Sequence, residues 1–238
     1  IQNYEGPVMI LVDKLSASAS EILAGAFQDY KRGLIVGSNT FGKGTVQRLE
    51  NLSYGQLKFT EQKFYRVSGK STQNLGVIPD IDLPYVFDSE DIGEMTLENS
   101  LPYDDISSLE YEPFNLTSNI EMIQSFSKKR ISDSDLNEYI NDQKNQSQDE
   151  LDKKQIPVNY LVRKSEKKSQ EEKRLFIENK FRVSIGLKPY LNFQEFLDAD
   201  PEELNEFSEK MVLEEAARIL IDQINFNKPE RLSNFDFR

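Results

Sequence analysis

Two residues carry the chemistry worth considering, Ser18 and Lys43. Ser18 lies in Ser16-Ala17-Ser18-Ala19-Ser20-Glu21, between an apolar run, Val8–Val12, and an amphipathic stretch, Ile22–Tyr30. A serine at a helix N-terminus has two uses. Its spacing to Glu21, Ser-x-x-Glu, fits a capping box, a structural role. The same position suits a nucleophile, because free backbone N–H groups and the helix dipole favour an oxyanion there. Lys43 lies in a glycine loop, Gly42-Lys43-Gly44, which lets the backbone approach a site closely. A lysine can serve as general base only when neutral, which requires desolvation. Phe41 is a candidate apolar wall for it; the alternative is a surface lysine in a turn.

The chain has 238 residues, no histidine and no cysteine. Without histidine there is no Ser-His-Asp triad, and hydrolytic chemistry must take its base from a carboxylate or a lysine. Cysteine's absence excludes disulfides and thiolate metal sites and leaves the compartment open. A net charge of −12 argues against nucleic acid as partner, because phosphate binding needs a basic surface. No apolar run reaches the length of a membrane span. Gly37 to Lys43 has the Gly-x-x-x-x-Gly-Lys spacing of a phosphate loop, but Gly44 stands where Ser or Thr should hold Mg²⁺. A strand rather than a helix is predicted to follow, so a nucleotide site is disfavoured.

These residues need elements to hold them. The pattern predicts strands at 8–12, 33–37, 45–52 and 56–67, and a helix over 18–30. The first two strands, joined through the helix, are predicted to be parallel. Gly76–Ile81 reads as a turn into a short extended segment. Residues 85–117 read as a linker. Helices are then predicted over 119–130, 134–154, 164–181 and 201–225, the last capped by Asp200 and burying a stripe of Leu213, Ala216 and Leu220. The run Lys164–Lys173 reads as a solvated helix face. Residues 1–84 are nearly neutral, so the acidic excess lies beyond them.

Ser16–Glu21, Gln28-Asp29-Tyr30 and Thr40–Gln47 together resemble the carboxyl-terminal processing, or tail-specific, serine proteases. Lys63–Gln73 and Gly76–Ile81 continue the resemblance, which is nearest to the long tail-specific branch with its helical C-terminal extension. The motifs cover about residues 4–106; beyond them the match rests on order and helical character. The resemblance implies an α+β fold: part of a crotonase/ClpP-like protease core over residues 1–106, then a helical domain over 107–238.

It implies Ser18 as nucleophile, Lys43 as general base, Gln47 as the residue orienting the lysine, and Asp29 as an acidic residue near the site. The Ala19 N–H becomes one oxyanion donor, and no metal or cofactor is required. Ser16 and Ser20 take structural roles. The implied reaction is endoproteolysis near the C-terminus of protein substrates with apolar C-termini. The implied location is the bacterial periplasm or cell envelope. An adaptor protein and a homodimer are further expected partners. The family's second oxyanion donor and PDZ domain come from upstream of Ile1, so this stretch alone is expected to cleave poorly. Two other readings stand beside this one: an inert interaction fragment whose acidic helical part docks a partner, and a crotonase-like acyl-transfer enzyme.

Overall fold

The computed structural model describes residues 4–84, 92–114, 116–153, 155–199 and 201–226. The described residues up to Ser125, with those from Ala216 onward, form one compact unit; Phe126–Glu215 form a second.

In the first unit, β1 (Met9–Val12) leads into α1 (Ala19–Asp29) and then β2 (Leu34–Gly37). β1 and β2 are parallel, Met9 opposite Leu34 and Val12 opposite Gly37. A two-residue strand, β5 (Ile81–Asp82), pairs parallel to the other side of β2, giving the sheet order β1-β2-β5. β2 is central, which is why its residues Leu34, Ile35 and Val36 are fully buried and read as a continuous apolar run. Val12, Ala24, Ile35 and Val77 form the core where α1 covers the sheet, with Ile10 and Phe27 packed on it.

A separate antiparallel hairpin, β3 (Thr45–Asn51) with β4 (Gln56–Lys63), has an irregular register between Val46 and Gln47. β4 ends at Lys63, short of the predicted Val67. Its partner runs out at Thr45, and the next amide, Phe64 N–H, turns to the Gly44 carbonyl at 3.0 Å. The chain then tightens into a turn in which Arg66 N–H bonds to the Lys70 carbonyl.

The segment read as a linker, where it is described, is tied to the core. A 3₁₀ turn at Glu94–Thr96 is followed by extended chain: Lys63 Nζ binds Asp104 and the Pro102 carbonyl, and Ile106 N–H binds the Gly69 carbonyl. α2 (Ile120–Ser132) begins within this unit, where Ile123 is fully buried.

The second unit contains α3 (Asp135–Leu151), α4 (Tyr160–Ser184) and α5 (Phe193–Asp198). Ser134 caps α3 by accepting from Asn137 N–H. α4 starts four residues before the predicted Lys164 because Asn159 accepts from Leu161 and Val162 N–H, an effective cap. Lys167–Glu171 and Lys168–Glu172 pair at i, i+4 along its polar, exposed run. α5 was not expected; Asn192 caps it through Glu195 N–H. Tyr139 of α3 stacks on Phe181 of α4 at 4.3 Å, and Leu136 and Ile140 are buried.

α6 (Pro201–Phe226) matches the predicted last helix; the predicted cap, Asp200, lies outside the described residues. The expected stripe of Leu213, Ala216 and Leu220 is corrected at both ends: Leu213 is exposed and Leu220 only half-buried. Leu213 is 56% exposed, while Ala216, Ile219 and Gln223 are buried. The i, i+3, i+7 spacing holds, but its first residue is Ala216, so Leu213 falls off the buried face. None of the described helices is long and apolar enough to cross a membrane.

Candidate active site

The turn from β1 to α1 holds Ser18 at φ 57°, ψ −113°. This is a sparsely populated backbone conformation for a non-glycine residue and costs about 1–3 kcal/mol. A serine strained on a sharp strand-to-helix turn, directly before the helix, is the arrangement hydrolases use to expose a nucleophile. Ser18 and Glu21 take up the capping-box arrangement, yet the serine side chain makes no cap hydrogen bond. What closes is the other arm: Ser18 N–H donates to Glu21 Oε2 at 2.8 Å. Ala19, the first residue of α1, is exposed, and its N–H is among the first-turn donors that have no intrahelical partner. Ser16 is engaged with Asp13, its hydroxyl donating to Oδ1 at 3.0 Å and accepting from Asp13 N–H at 3.1 Å.

Glu21 is the hub of the site. It is fully buried and accepts four hydrogen bonds. Oε1 receives the Thr40 hydroxyl at 2.6 Å and Gly42 N–H at 2.7 Å; Oε2 receives Ser18 N–H and Lys43 N–H, the latter at 2.9 Å. A carboxylate has about four lone-pair sites, and four donors fill them. The backbone nitrogens of Ser18 and Lys43 thus lie no further apart than the sum of their two distances to one oxygen. Thr40 in turn accepts Val77 N–H at 2.7 Å, which ties the loop to the core.

The glycines beside Lys43 are needed for close packing. Gly42 sits at φ 94°, and a Cβ there would meet the Asn74 backbone at 2.9 Å; one on Gly44 would lie 2.7 Å from Gln73 N. Gly44 N–H itself donates to Gln73 Oε1 at 2.9 Å. Lys43 is half-buried, and among the described residues its ammonium makes no hydrogen bond.

The other two predicted site residues lie elsewhere. Gln47 is exposed on β3, just past the register irregularity. Among the described residues its side chain is not bonded to Lys43. Asp29 ends α1, about 15 Å along the helix from its start at 1.5 Å per residue. It is bound by Arg66 through both oxygens and accepts the Ser68 hydroxyl at 3.0 Å. Gln28 completes this knot, accepting from Arg66 and donating to the Ile78 carbonyl and to Asp80. Burial pushes the Asp80 carboxyl above its ordinary range, against the opposing bonds from Ile35 N–H and Gln28 and the Arg66 charge.

Sequence reasoning saw Glu21 only as a capping residue and did not single out Gln73. The Ser-x-x-Glu spacing was a signal for Glu21, but three of its four donors come from residues 40–43, which no local pattern could connect to it.

A strained serine thus lies directly before a helix, and one buried carboxylate holds its backbone and that of a glycine-flanked lysine. The comparisons agree on the family. Residues 1–83 match peptidase family S41, and residues 87–225 match the C-terminal domain of tail specific protease. The chain belongs to the tail-specific protease family. It is 35% identical to the tail-specific protease of Haemophilus influenzae, over 98% of this chain and 34% of that one. It is 47% identical to the carboxy-terminal-processing protease of Bartonella bacilliformis, over 32% of this chain and 18% of the relative. Among solved structures, the photosystem II D1 C-terminal processing protease is similar, with 45% identity, a TM-score of 0.31, and coverage of 32% of this chain and 20% of that one. The chain thus spans about a third or less of the length of these relatives. Its architecture is a mixed strand-and-helix fragment of the S41 peptidase domain followed by a mainly helical C-terminal domain.

Proposed function

We propose that this chain carries the catalytic dyad of a serine endopeptidase that cleaves proteins near their C-termini. Ser18 Oγ attacks the scissile carbonyl while Lys43 Nζ takes its proton. Lys43 then hands that proton to the leaving amine, and water hydrolyses the acyl-enzyme. The Ala19 N–H, at the positive end of α1, faces the developing oxyanion. Gln47 orients the lysine once substrate is bound. Asp29 acts at a distance: it fixes Arg66 and Ser68, and so the start of the segment that leads to Gln73.

The observation that carries this reading is the shared oxygen of Glu21, which holds the backbones of Ser18 and Lys43 together beside a strained serine. The test is cleavage of an unfolded protein with an apolar C-terminus by the full-length protein and its Ser18→Ala variant. Serine-dependent turnover supports the reading, and equal turnover by the variant rejects it.

The proposal extends to the protease-core and helical-domain division at about residue 106, and to a periplasmic or envelope location. A protein adaptor and a homodimer complete it. Support for these is the resemblance alone; cell fractionation and the mass of the purified protein in solution test location and assembly.

A further inference from the structure

Three consecutive amides carry the Lys43 loop, and each is held by a buried side chain. Gly42 and Lys43 N–H go to Glu21; Gly44 N–H goes to Gln73 Oε1 at 2.9 Å. Glu21 answers to α1. Gln73 answers to a different part of the chain. It is fully buried, and its Nε2 faces the Leu101 carbonyl at 3.0 Å, Asn74 Oδ1 at 3.3 Å and Glu94 Oε1 at 3.4 Å. These neighbours fix which end of the amide is which: a flipped Gln73 would set its NH₂ against the Gly44 N–H and its oxygen against three acceptors. The segment supplying Glu94 and Leu101 is itself tied down. Glu94 N–H bonds to the Phe41 carbonyl, Asn74 Nδ2 to the Leu101 carbonyl, and Lys63 to Asp104.

We infer that Gln73 is a positioning residue for the general base: it clamps the Gly44 end of the Lys43 loop and takes its own position from residues 94–101. Those residues lie beyond the stretch that matches peptidase family S41, within the stretch that matches the tail-specific C-terminal domain, so a segment outside the S41 match helps to set the Lys43 loop. A lysine base must sit within hydrogen-bond reach of the serine it deprotonates, and a displacement of about 1 Å can cost a hundredfold in rate. Among the described residues the Lys43 ammonium makes no hydrogen bond, so its aim depends on its backbone. The inference rests on the proposed Ser18–Lys43 dyad for its catalytic consequence, but not for the clamp itself.

The test uses the full-length protein with Gln73→Met, which keeps the length and removes both polar ends. A second variant, Gln73→Glu, keeps an acceptor for Gly44 N–H but sets an oxygen against the Leu101 carbonyl, Asn74 Oδ1 and Glu94 Oε1. Two readouts are taken: hydrogen exchange at the Gly44 amide, and kcat and KM separately. The inference expects Gln73→Met to exchange Gly44 at least tenfold faster and to lose about a hundredfold in kcat with KM little changed. Gln73→Glu should also exchange Gly44 faster than the parent and lose kcat, because residues 94–101 no longer hold the side chain in place. Unchanged Gly44 exchange, or a kcat within threefold of the parent, overturns it. If Gln73→Met does not fold, Gln73→Glu decides alone: Gly44 exchange at least tenfold faster with a lower kcat supports the inference, and parental exchange and kcat overturn it. A Ser18→Ala variant that still turns over substrate would reject the dyad, while the exchange readout would still judge Gln73.

Discussion

Glu21 holds Lys43 by its backbone: Oε2 of the carboxylate lies 2.9 Å from Lys43 N. The same oxygen holds Ser18 N at 2.8 Å. One buried carboxylate therefore sets the spacing of the two residues proposed to react, and the first prediction concerns it.

Glu21→Gln replaces two acceptor oxygens by one and turns an NH₂ group either on the Ser18 and Lys43 N–H groups or on Gly42 N–H and the Thr40 hydroxyl. At least two of the four donors lose their partner. Each buried unsatisfied group costs about 1–3 kcal/mol, so unfolding free energy should fall by about 2–6 kcal/mol. Urea denaturation measures this, and cleavage activity should fall with it.

Gly42→Ala places a Cβ at 2.9 Å from the Asn74 backbone, at a φ of 94° that side chains rarely adopt. The strain is about 1–3 kcal/mol. The Lys43 loop must shift to relieve it. The expected outcome is a lower thermal midpoint together with a loss of turnover larger than that of an alanine substitution at Gly55, where a Cβ meets nothing within 4 Å.

Asp29 and Arg66 form a buried bidentate pair, with side chains 8% and 10% exposed. Removing one charge strands the other, so Asp29→Asn should cost about 3–5 kcal/mol. Removing both with apolar replacements, Asp29→Leu and Arg66→Met, should cost less than the two single changes added. A double-mutant cycle on unfolding free energies checks this; simple additivity would show that the pair is not coupled.

Glu178 gives a pH dependence in the helical unit. Burial pushes its carboxyl above the ordinary value of 4.5, opposed by the Tyr139 hydroxyl and by the charges of Arg182 and Arg174. Burial also pushes the Tyr139 hydroxyl upward, aided by the Glu178 charge. A raised folded-state value means the native state binds the Glu178 proton more tightly than the unfolded chain does. The stabilisation from that proton is full below pH 4.5 and is lost as pH rises through the raised value. Glu178→Gln stays neutral and can still accept from Tyr139. Its thermal midpoint relative to the parent should therefore climb between pH 4.5 and pH 8; a flat difference would contradict the assignment.

Local pattern made much of this structure legible. β1, α1 and β2 follow from an apolar run, an amphipathic stretch and a second apolar run, and the parallel pairing of β1 with β2 follows from their connection. What stayed hidden needed distant partners. The end of β4 at Lys63 depends on where β3 runs out and on the Gly44 carbonyl that takes Phe64 N–H. The segment beyond residue 92 reads as a linker because its ties, from Lys63, Gln73 and Asn74, reach back about 27 to 41 residues, a separation no composition rule detects. Asn159 and Asn192 were missed as caps because asparagine is as common in turns as at helix starts. At the site, Ser18 and Lys43 stood out by residue type and glycine context. Gln73 did not: a buried amide looks like any surface glutamine until its two ends are seen to be occupied.

The central claim is that Lys43 is the general base for Ser18. Arginine keeps the positive charge and much of the bulk but does not give up its proton in proteins. The direct measurement is single-turnover cleavage of an unfolded protein with an apolar C-terminus by the full-length protein and its Lys43→Arg variant. Circular dichroism confirms that both are folded. The account predicts no detectable cleavage by the variant. Cleavage by Lys43→Arg at a rate near the parent's would contradict it.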